Sequence, residues 1–311
     1  MSFPFNPSFS FTLPGLQLAI DSTSLGAFKT CPKYYYYTII LGYVSRSTKI
    51  DLIFGLLYHA SLEWFDHKIS EGMDYEDAIN STVRRVLELT WDKKLNRPIE
   101  MDDANKNRAN LLRSVIWYLD QFKDDQIPTV ILANGKPAVE LSFRFELDFK
   151  SSTNEPYLIC GHLDRVVEWG NTKKILDRKT TRHTLDDKYY AQFSPHNQFS
   201  LYDFAGPIVF GIPTSGIVVD AAQIAVTFSR FERREIPRVP AIREEWHKDL
   251  KFWLGLMDKC AQEQHWPMND KACFMCEFKS VCSKPESLRE PFLKGQFDQR
   301  IWNPLEVRGD V

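Results

Sequence analysis

The feature that most constrains the fold is a run of alternating apolar and polar residues in the middle of the chain. Residues 157–169 (YLICGHLDRVVEW) and 173–180 (KKILDRKT) both predict β-strands, and Trp169-Gly170-Asn171-Thr172 predicts a hairpin turn between them. Residues 137–149 (PAVELSFRFELDF) also alternate and predict a preceding strand. The chain is therefore expected to be built around a sheet that contains an antiparallel hairpin.

Helical periodicity surrounds these strands. A short helix is predicted from a cap at Asp21-Ser22-Thr23 to Cys31-Pro32, and longer helices are predicted at 51–70, near 74–93 and near 103–124. After the hairpin, Ser194-Pro195 predicts the start of a further helix, and two strands (216–228 and 230–236) and a helix (240–264) follow. This order predicts an α/β (α+β) fold with a central mixed sheet flanked by helices.

The composition predicts three regions along the chain. Residues 1–20 are rich in Pro, Phe and Ser and predict an irregular arm. Residues 21–282 predict a single domain, with a helical insertion at about 51–125 and a cysteine cluster at 273–282. Residues 283–311 show little periodicity and predict a C-terminal tail that wraps over the domain.

The sequence has 311 residues, of which 43% are hydrophobic, and its formal net charge is −2. A negative net charge excludes a protein that attracts nucleic acid through an overall positive charge. Any binding to a phosphate backbone must therefore come from local basic runs. Residues 171–188 and 229–243 form such runs, which are either a path for DNA or ordinary solvated faces. Their basic residues are Lys173, Lys174, Arg178, Lys179, Arg182, Lys188, Arg230, Arg233, Arg234, Arg238 and Arg243.

No segment predicts a membrane span or an export signal. The most apolar stretch, 206–219, is interrupted by Pro213 and is too short to cross a bilayer. No Lys or Arg precedes Lys29, whereas signal and transit peptides begin with basic residues. The expected location is intracellular, in the cytoplasm of a bacterium or of a viral host cell.

The sharpest chemical signal lies in the predicted hairpin, which carries Asp164 on one strand and Asp177 and Lys179 on the next. Side chains alternate along a strand, so Asp177 and Lys179 share a face, and hairpin pairing can place Asp164 beside them. Two carboxylates can hold Mg²⁺ or Mn²⁺ for phosphodiester hydrolysis, and a lysine can orient the attacking water. The alternative is a surface hairpin that carries an ion pair.

Three residues on predicted helices could complete such a site. Gln198 and Tyr202 are four positions apart and share one helix face, where they could orient catalytic groups or contact a nucleotide. In the alternative interpretation, Gln198 and Tyr202 are ordinary residues of a helix surface. His59 lies on the helix at 51–70, and its alternative is a packed or solvated histidine.

Cysteine spacing indicates a metal site near the C-terminus. Cys273, Cys276 and Cys282 lie within ten residues, which in a large intracellular chain favours metal ligation over disulfides. Cys31, at the end of the first predicted helix, is the best candidate for a fourth ligand. Four thiolates fit either an iron–sulfur cluster or a tetrahedral zinc, and either would join the two ends of the chain.

The remaining cysteines and a run of tyrosines have simpler interpretations. Cys160 lies on a predicted strand and Cys260 on an apolar helix, so both are expected to be core thiols. The four tyrosines at 34–37 could stack on single-stranded bases, but packing near the cysteine cluster is the favoured role.

Together these residues resemble the RecB/AddB-type branch of the PD-(D/E)XK nucleases. That branch includes the CRISPR-associated adaptation nucleases and small iron–sulfur exonucleases of viruses and cells. The resemblance depends on the joint order and spacing of pieces that span residues 31–282. The matching pieces are Cys31-Pro32, Gly55-x3-His59, Glu140, Gly161-x2-Asp164-Arg165, Asp177-Arg178-Lys179-Thr180, Gln198-x3-Tyr202 and the cluster Cys273, Cys276 and Cys282.

The resemblance implies a restriction-endonuclease-like core and a metal centre. His59, Asp164 and Asp177 would bind Mg²⁺ or Mn²⁺ together with the backbone carbonyl of Arg178, and Lys179 would be the catalytic lysine. One departure is Arg178, because an apolar or aromatic residue is more usual at this position. Its side chain is expected to face away from Asp177.

The resemblance also implies roles for the remaining pieces. Gln198 and Tyr202 would form the accessory Q-x3-Y motif, and Glu140 would be an auxiliary acidic residue of the site. The four cysteines would hold a [4Fe–4S] cluster that pins the termini together.

The expected function is therefore metal-dependent hydrolysis of DNA, by an exonuclease of DNA repair, recombination or phage and CRISPR DNA processing. The expected partners are single-stranded DNA or the end of a duplex, and a helicase or recombination protein. One alternative is a non-catalytic DNA-binding or helicase-associated subunit of the same fold. Another is a zinc-ribbon interaction protein without nuclease activity.

Overall fold

A computed structural model describes residues 5–46, 49–124, 127–211 and 214–306. The chain divides into two compact units. The first unit is drawn from residues 1–48, 142–161 and 241–307, and the second from residues 49–141 and 162–240. The prediction of one domain over residues 21–282 stays a prediction.

The helices and strands alternate in the order that the sequence pattern predicts. The first part of the chain contains β1 (Ala19–Ile20), α1 (Ser22–Thr30), α2 (Pro32–Tyr35), a π-helical turn (Tyr36–Ile40), β2 (Tyr43–Ser45), α3 (Ile50–Ser70), α4 (Tyr75–Leu89), β3 (Trp91–Asp92), β4 (Arg97–Pro98) and α5 (Arg108–Gln121). The middle contains β5 (Val139–Lys150), β6 (Pro156–Trp169), β7 (Thr172–Thr181), α6 (Asp187–Ala191), α7 (Asn197–Phe210), β8 (Thr214–Ile224) and β9 (Ser229–Ile236). The last part contains α8 (Pro240–Gln262), a 3-10 helix (Asp270–Cys273), α9 (Lys279–Cys282), α10 (Glu286–Gln296) and β10 (Phe297–Gln299).

The sheet of the second unit is mixed. Its strands follow the order β6-β7-β8-β9, in which β7 is antiparallel to β6 and parallel to β8, and β9 is antiparallel to β8. Trp169 pairs with Thr172 across a two-residue turn, as the alternating pattern predicts. The chain thus has the predicted mixed α/β fold, with a central mixed sheet flanked by helices.

Helices of the second unit pack on both faces of this sheet. On one face, Gly206 of α7 lies against Ile175 of β7, so α7 covers the side that Asp177 and Lys179 share. On the other face, Tyr118 of α5 donates a hydrogen bond to a β8 carboxylate. The core beside it is built from α3, α4 and α5, and its buried members include Phe54, Tyr58, Leu62, Val86, Leu111, Val115 and Tyr118.

The first unit is built from both ends of the chain and the residues from 142 to 161. Within it, β1 runs parallel to the first part of β6, and β10 is antiparallel to β2. The four tyrosines pack as favoured: Tyr35 and Tyr37 are buried, Tyr36 stacks on Trp266, and Tyr34 meets an aromatic ring edge-on.

Three details of the predicted organisation are wrong. The arm at 1–20 is not wholly irregular, because residues 19 and 20 form β1 (residues 1–4 lie outside the described residues). The tail at 283–311 contains α10 and β10, although 307–311 lie outside the described residues. Helix α7 begins at Asn197, not at Ser194-Pro195, and its N-cap is His196.

Within the parts of the chain that the structure describes, no helix combines the length and the apolar character that crossing a bilayer requires.

Replacement of Leu62 by alanine tests the core of the second unit. Leu62 is 0% exposed on α3, so its truncation leaves a cavity and is expected to lower the free energy of unfolding by about 2–5 kcal/mol. Urea denaturation measures this change. Leu56→Ala on the same helix is the matched control, because Leu56 is 52% exposed. Equal losses in the two variants would contradict the assigned packing of α3.

Candidate active site

The site lies where the β6–β7 ladder ends in the second unit. Arg165 and Leu176 form the last pair of the ladder, and Asp164 and Asp177 are the next residues along each strand. Beyond that pair, the backbone N–H of Arg178 donates a 2.8 Å hydrogen bond to Asp164 Oδ2. The side chain of Asp164 therefore links the two strands where the ladder ends, and the structure brings the two predicted aspartates together at this point.

His59 on α3 contacts the first aspartate. Its Nδ1 lies 3.2 Å from Asp164 Oδ2. Burial lowers the pKa of His59, but the charge and hydrogen bond of Asp164 outweigh it, so the pKa is raised. Burial raises the pKa of Asp164, but His59, Lys179 and the amide of Arg178 outweigh it and hold the pKa well below its usual range.

The second aspartate has fewer partners. Asp177 is 1% exposed, and Lys179 Nζ lies 2.5 Å from its Oδ2. Among the described residues, both oxygens of this carboxylate are buried without a hydrogen-bond partner, and Oδ1 also lacks the ion-pair contact that Oδ2 makes with Lys179. Burial raises the pKa of Asp177 to about 6, with a further contribution from Asp164, while Lys179 opposes the rise. The two carboxylates are thus shifted in opposite directions.

A polar chain continues from the lysine onto α7. Lys179 Nζ donates to Gln198 Oε1 over 3.2 Å, and Gln198 Nε2 donates to the Tyr202 hydroxyl over 2.9 Å. Lys179 also lies over the Phe199 ring, 5.6 Å from its centroid. Gln198 and Tyr202 do share one face of the helix, as their spacing predicts, and this face is turned toward the lysine.

Arg178 stands where an apolar or aromatic residue is more usual, and the structure gives a reason for the arginine. Its side chain points to the opposite face from Asp177, where Nη2 lies 2.5 Å from Asp66 Oδ2. Burial lowers the pKa of Arg178, but Asp66 outweighs it, so the guanidinium stays charged. The expectation that this side chain faces away from Asp177 is therefore confirmed.

Glu140 lies at the start of β5 with a backbone φ of 47°. Its role in the site stays a prediction, as does metal binding by the backbone carbonyl of Arg178.

Two residues near the site were missed by sequence reasoning. Asp66 is seven positions after His59, so helical periodicity alone could have placed both on one face of α3. Lys106 Nζ lies 3.0 Å from Asp51 and 3.2 Å from Thr180 Oγ1, although it precedes α5 in an irregular segment. No local signal marks Lys106, because its partners are distant in sequence.

The donor set of this cluster fits a hard divalent cation. Two carboxylates and one imidazole are suitable ligands, and the unpartnered buried oxygen of Asp177 is a position where a cation would stabilise the charge. In the described residues, no three or more His, Cys, Asp or Glu side chains already converge closely enough to hold an ion. Joint metal binding by His59, Asp164 and Asp177 stays a prediction.

The basic runs only partly match a path for DNA. Lys174, Arg178 and Arg238 are buried, and each contacts a partner: Glu235, Asp66 and the Phe193 carbonyl, respectively. These three residues cannot line an exposed groove, so their inclusion in the predicted path is wrong. Within the second unit, Lys179 and Arg182 keep side-chain exposures of 28% and 37%, and Lys188 and Arg230 are exposed.

The cysteines form a separate group in the first unit. Cys31 is buried and accepts a 3.3 Å hydrogen bond from the backbone N–H of Asn269, and Cys273 contacts the carbonyl of the same residue. Burial raises the pKa of Cys282, and electrostatic interaction with Cys276, Cys31 and Cys273 raises it further, while Arg289 opposes the rise. All four side chains are thus electrostatic neighbours, but a four-cysteine cluster site stays a prediction.

The two other cysteines differ in burial. Cys160 is buried on β6, and burial raises the pKa of its thiol to about 12. Cys260 is only half-buried on α8, so its assignment as a core thiol is only partly met.

One solved structure shares the fold of this chain. A crystal structure described as "Putative exonuclease" from Eubacterium rectale aligns with a TM-score of 0.50 and 11% sequence identity, over 88% of this chain and 92% of that chain. The structure of SSO0001 aligns over 86% of this chain and 87% of that chain with 11% identity, but its TM-score of 0.33 is too low to indicate a shared fold. A comparison with curated proteins found no match.

A comparison with protein-family models gives a more specific result. The model described as "PD-(D/E)XK nuclease superfamily" matches residues 22–283, which is most of the chain. The matched range contains the hairpin with both aspartates, the lysine and the helix that carries His59. This chain therefore belongs to the PD-(D/E)XK nuclease superfamily.

Proposed function

We propose that this protein is a metal-dependent deoxyribonuclease that hydrolyses DNA phosphodiester bonds as an exonuclease. The observation that carries the proposal is the joint placement of Asp164, Asp177 and Lys179 at the open end of the β6–β7 ladder. Membership of the superfamily supports nuclease activity, and the exonuclease description of one structural neighbour supports action at DNA ends. DNA repair, recombination or CRISPR DNA processing is the proposed setting.

The residues of this chain divide the chemistry among them. Asp164, Asp177 and His59 would hold Mg²⁺ or Mn²⁺, which when bound polarises the phosphoryl group and lowers the pKa of water. Lys179 has its ammonium beside Asp177 and can donate a hydrogen bond to the attacking water or to a phosphate oxygen. Gln198 accepts a hydrogen bond from Lys179 and limits where the ammonium can point.

DNA would contact the exposed basic side chains near this site. Members of the basic runs in the second unit that are exposed or half-exposed include Lys173, Lys179, Arg182, Lys188, Arg230 and Arg234. Such side chains contribute affinity through phosphates and carry no sequence preference. The proposed partners are therefore single-stranded DNA or a duplex end, together with a helicase or recombination protein.

A second proposal concerns the cysteines, which would hold a [4Fe–4S] cluster. It is supported by the spacing of Cys273, Cys276 and Cys282 and by their electrostatic proximity to Cys31. Zinc bound by the same four thiolates is the alternative.

Replacement of Asp177 tests the proposed activity. Asp177→Asn removes the carboxylate charge and is expected to slow Mn²⁺-dependent degradation of end-labelled linear DNA by roughly 100-fold or more. A covalently closed circle of the same sequence is expected to resist the wild-type protein, because it offers no end. Gel electrophoresis of both substrates over time measures the two effects.

The matched control is Asp187→Asn, because Asp187 has a fully exposed side chain that pairs with Arg234 at the surface. This variant is expected to degrade linear DNA at the wild-type rate. Equal rates for wild type and Asp177→Asn would contradict the catalytic site and favour a non-catalytic DNA-binding subunit. Rapid cleavage of the circle would contradict the exonuclease.

Metal affinity is expected to depend on pH through Asp177. Its pKa is about 6, so below that pH a proton occupies the carboxylate and must leave before a metal binds. Because the pKa of the proposed ligand His59 is also raised, both groups hold protons below about pH 6, and the affinity for Mn²⁺ is expected to fall there by at least roughly tenfold per pH unit. Calorimetric titration at several pH values measures this. The dependence is expected to persist in His59→Gln, and its loss there would assign it to the histidine instead.

Anaerobic purification distinguishes the two metals at the cysteines. An iron–sulfur cluster is expected to give a brown protein with broad absorption at about 400 nm. The absorption is expected to disappear in Cys276→Ser and to remain in Cys260→Ser, a control at a half-buried thiol on α8. A colourless wild-type protein that contains zinc would contradict the cluster.

A further inference from the structure

One buried carboxylate lies on the same helix as one proposed metal ligand and contacts both of the strands that carry the other two. His59 lies on α3, Asp164 on β6 and Asp177 on β7, and the carboxylate is that of Asp66, also on α3 and 5% exposed. We infer that Asp66 is a positioning residue that fixes the placement of these three ligands relative to one another. The inference rests on the proposed function, because it concerns the same metal site.

On the strand side, Asp66 contacts the residue that follows each aspartate. Arg165 follows Asp164, and its Nη1 lies 3.2 Å from Asp66 Oδ1. Arg178 follows Asp177, and its Nη2 lies 2.5 Å from Asp66 Oδ2. Each oxygen of one carboxylate is thus paired with one guanidinium, and Arg178 also donates a hydrogen bond to it, so β6 and β7 are tied to the same group next to their metal-site residues.

On the helix side, Asp66 and His59 move together. They are seven residues apart on α3, which is close to two turns, so both project from one face of the helix. A rotation or shift of α3 that breaks the contacts of Asp66 would also move His59 away from Asp164. The contacts of Asp66 therefore fix the rotation of α3 about its axis and its position along that axis relative to the β6–β7 hairpin.

The surroundings of Asp66 make this placement rigid. The side chains of Asp66 and Arg178 are 5% and 3% exposed, and that of Arg165 is 11% exposed, so water cannot readily replace either contact. Arg165 is also held by Thr129 Oγ1 and the Ile127 carbonyl. Residues that support metal ligands from behind commonly change metal affinity when they are replaced, although they do not touch the metal.

Binding of Mn²⁺ to the full chain tests the inference without any measurement of DNA cleavage. Asp66→Asn keeps the side-chain volume but loses the charge and one acceptor oxygen. The dissociation constant for Mn²⁺, measured by the electron paramagnetic resonance of the free ion, is expected to rise by about 10- to 100-fold. In parallel assays, kcat is expected to fall while KM for DNA stays unchanged.

A matched control separates positioning from a general loss of stability. Asp258 is another buried aspartate, and in the first unit it accepts hydrogen bonds from Ser152, Tyr157 and Gln262. Asp258→Asn is expected to lower the melting temperature and to leave the Mn²⁺ dissociation constant at the wild-type value.

A second variant keeps the inference testable if Asp66→Asn does not fold. Arg165→Gln removes one guanidinium and leaves the contact of Asp66 with Arg178, so a smaller rise of the dissociation constant is expected. Wild-type affinity in the folded variants would overturn the inference while leaving the proposed function intact. A wild-type protein that binds no Mn²⁺ would overturn the proposed function and, with it, the inference.

Discussion

The burial of two neighbouring carboxylates is the constraint that shapes the site of the second unit. Asp164 and Asp177 face each other where the β6–β7 ladder stops, and neither can keep its charge there without compensation. Asp164 receives it from His59, Lys179 and the Arg178 amide, whereas Asp177 receives it mainly from Lys179 and also from His59. Burial raises the pKa of both carboxyl groups, but the charges around Asp164 outweigh it and hold that pKa well below its usual range, whereas the pKa of Asp177 is raised to about 6.

The two faces of β7 carry different kinds of polar network. On the face of Lys179, the contacts are partly open to solvent and end in a hydroxyl on α7. On the face of Arg178, the ionic contacts are closed from solvent and include Asp66, Asp220 and Arg233. Buried ion pairs are a weak source of stability, because desolvation offsets their attraction. Their presence directly behind the site agrees better with a need for geometry than with a need for stability.

Local patterns predicted the strands, the hairpin turn and most of the helices, because alternation and helical periodicity arise from one buried face. They failed where a segment is ordered mainly by distant partners, as at β1, whose two residues pair with β6. The same limit explains the basic runs. Whether Arg178 is exposed depends on Asp66, which lies 112 positions away in the sequence. By contrast, the convergence of Asp164 and Asp177 was predictable, because a short hairpin fixes it locally.

The two-residue turn between β6 and β7 has a consequence for how this chain can vary. The number of residues between Trp169 and Thr172 sets every pair in the ladder, and Asp164 and Asp177 occupy the next position after the pair of Arg165 and Leu176. Addition or removal of a single residue in this loop would shift the rungs by one and turn one carboxylate toward the opposite side of the sheet. Gly170 is constrained by its left-handed φ of 57°, so within this loop the identity of Asn171 can vary more freely than either Gly170 or the loop length.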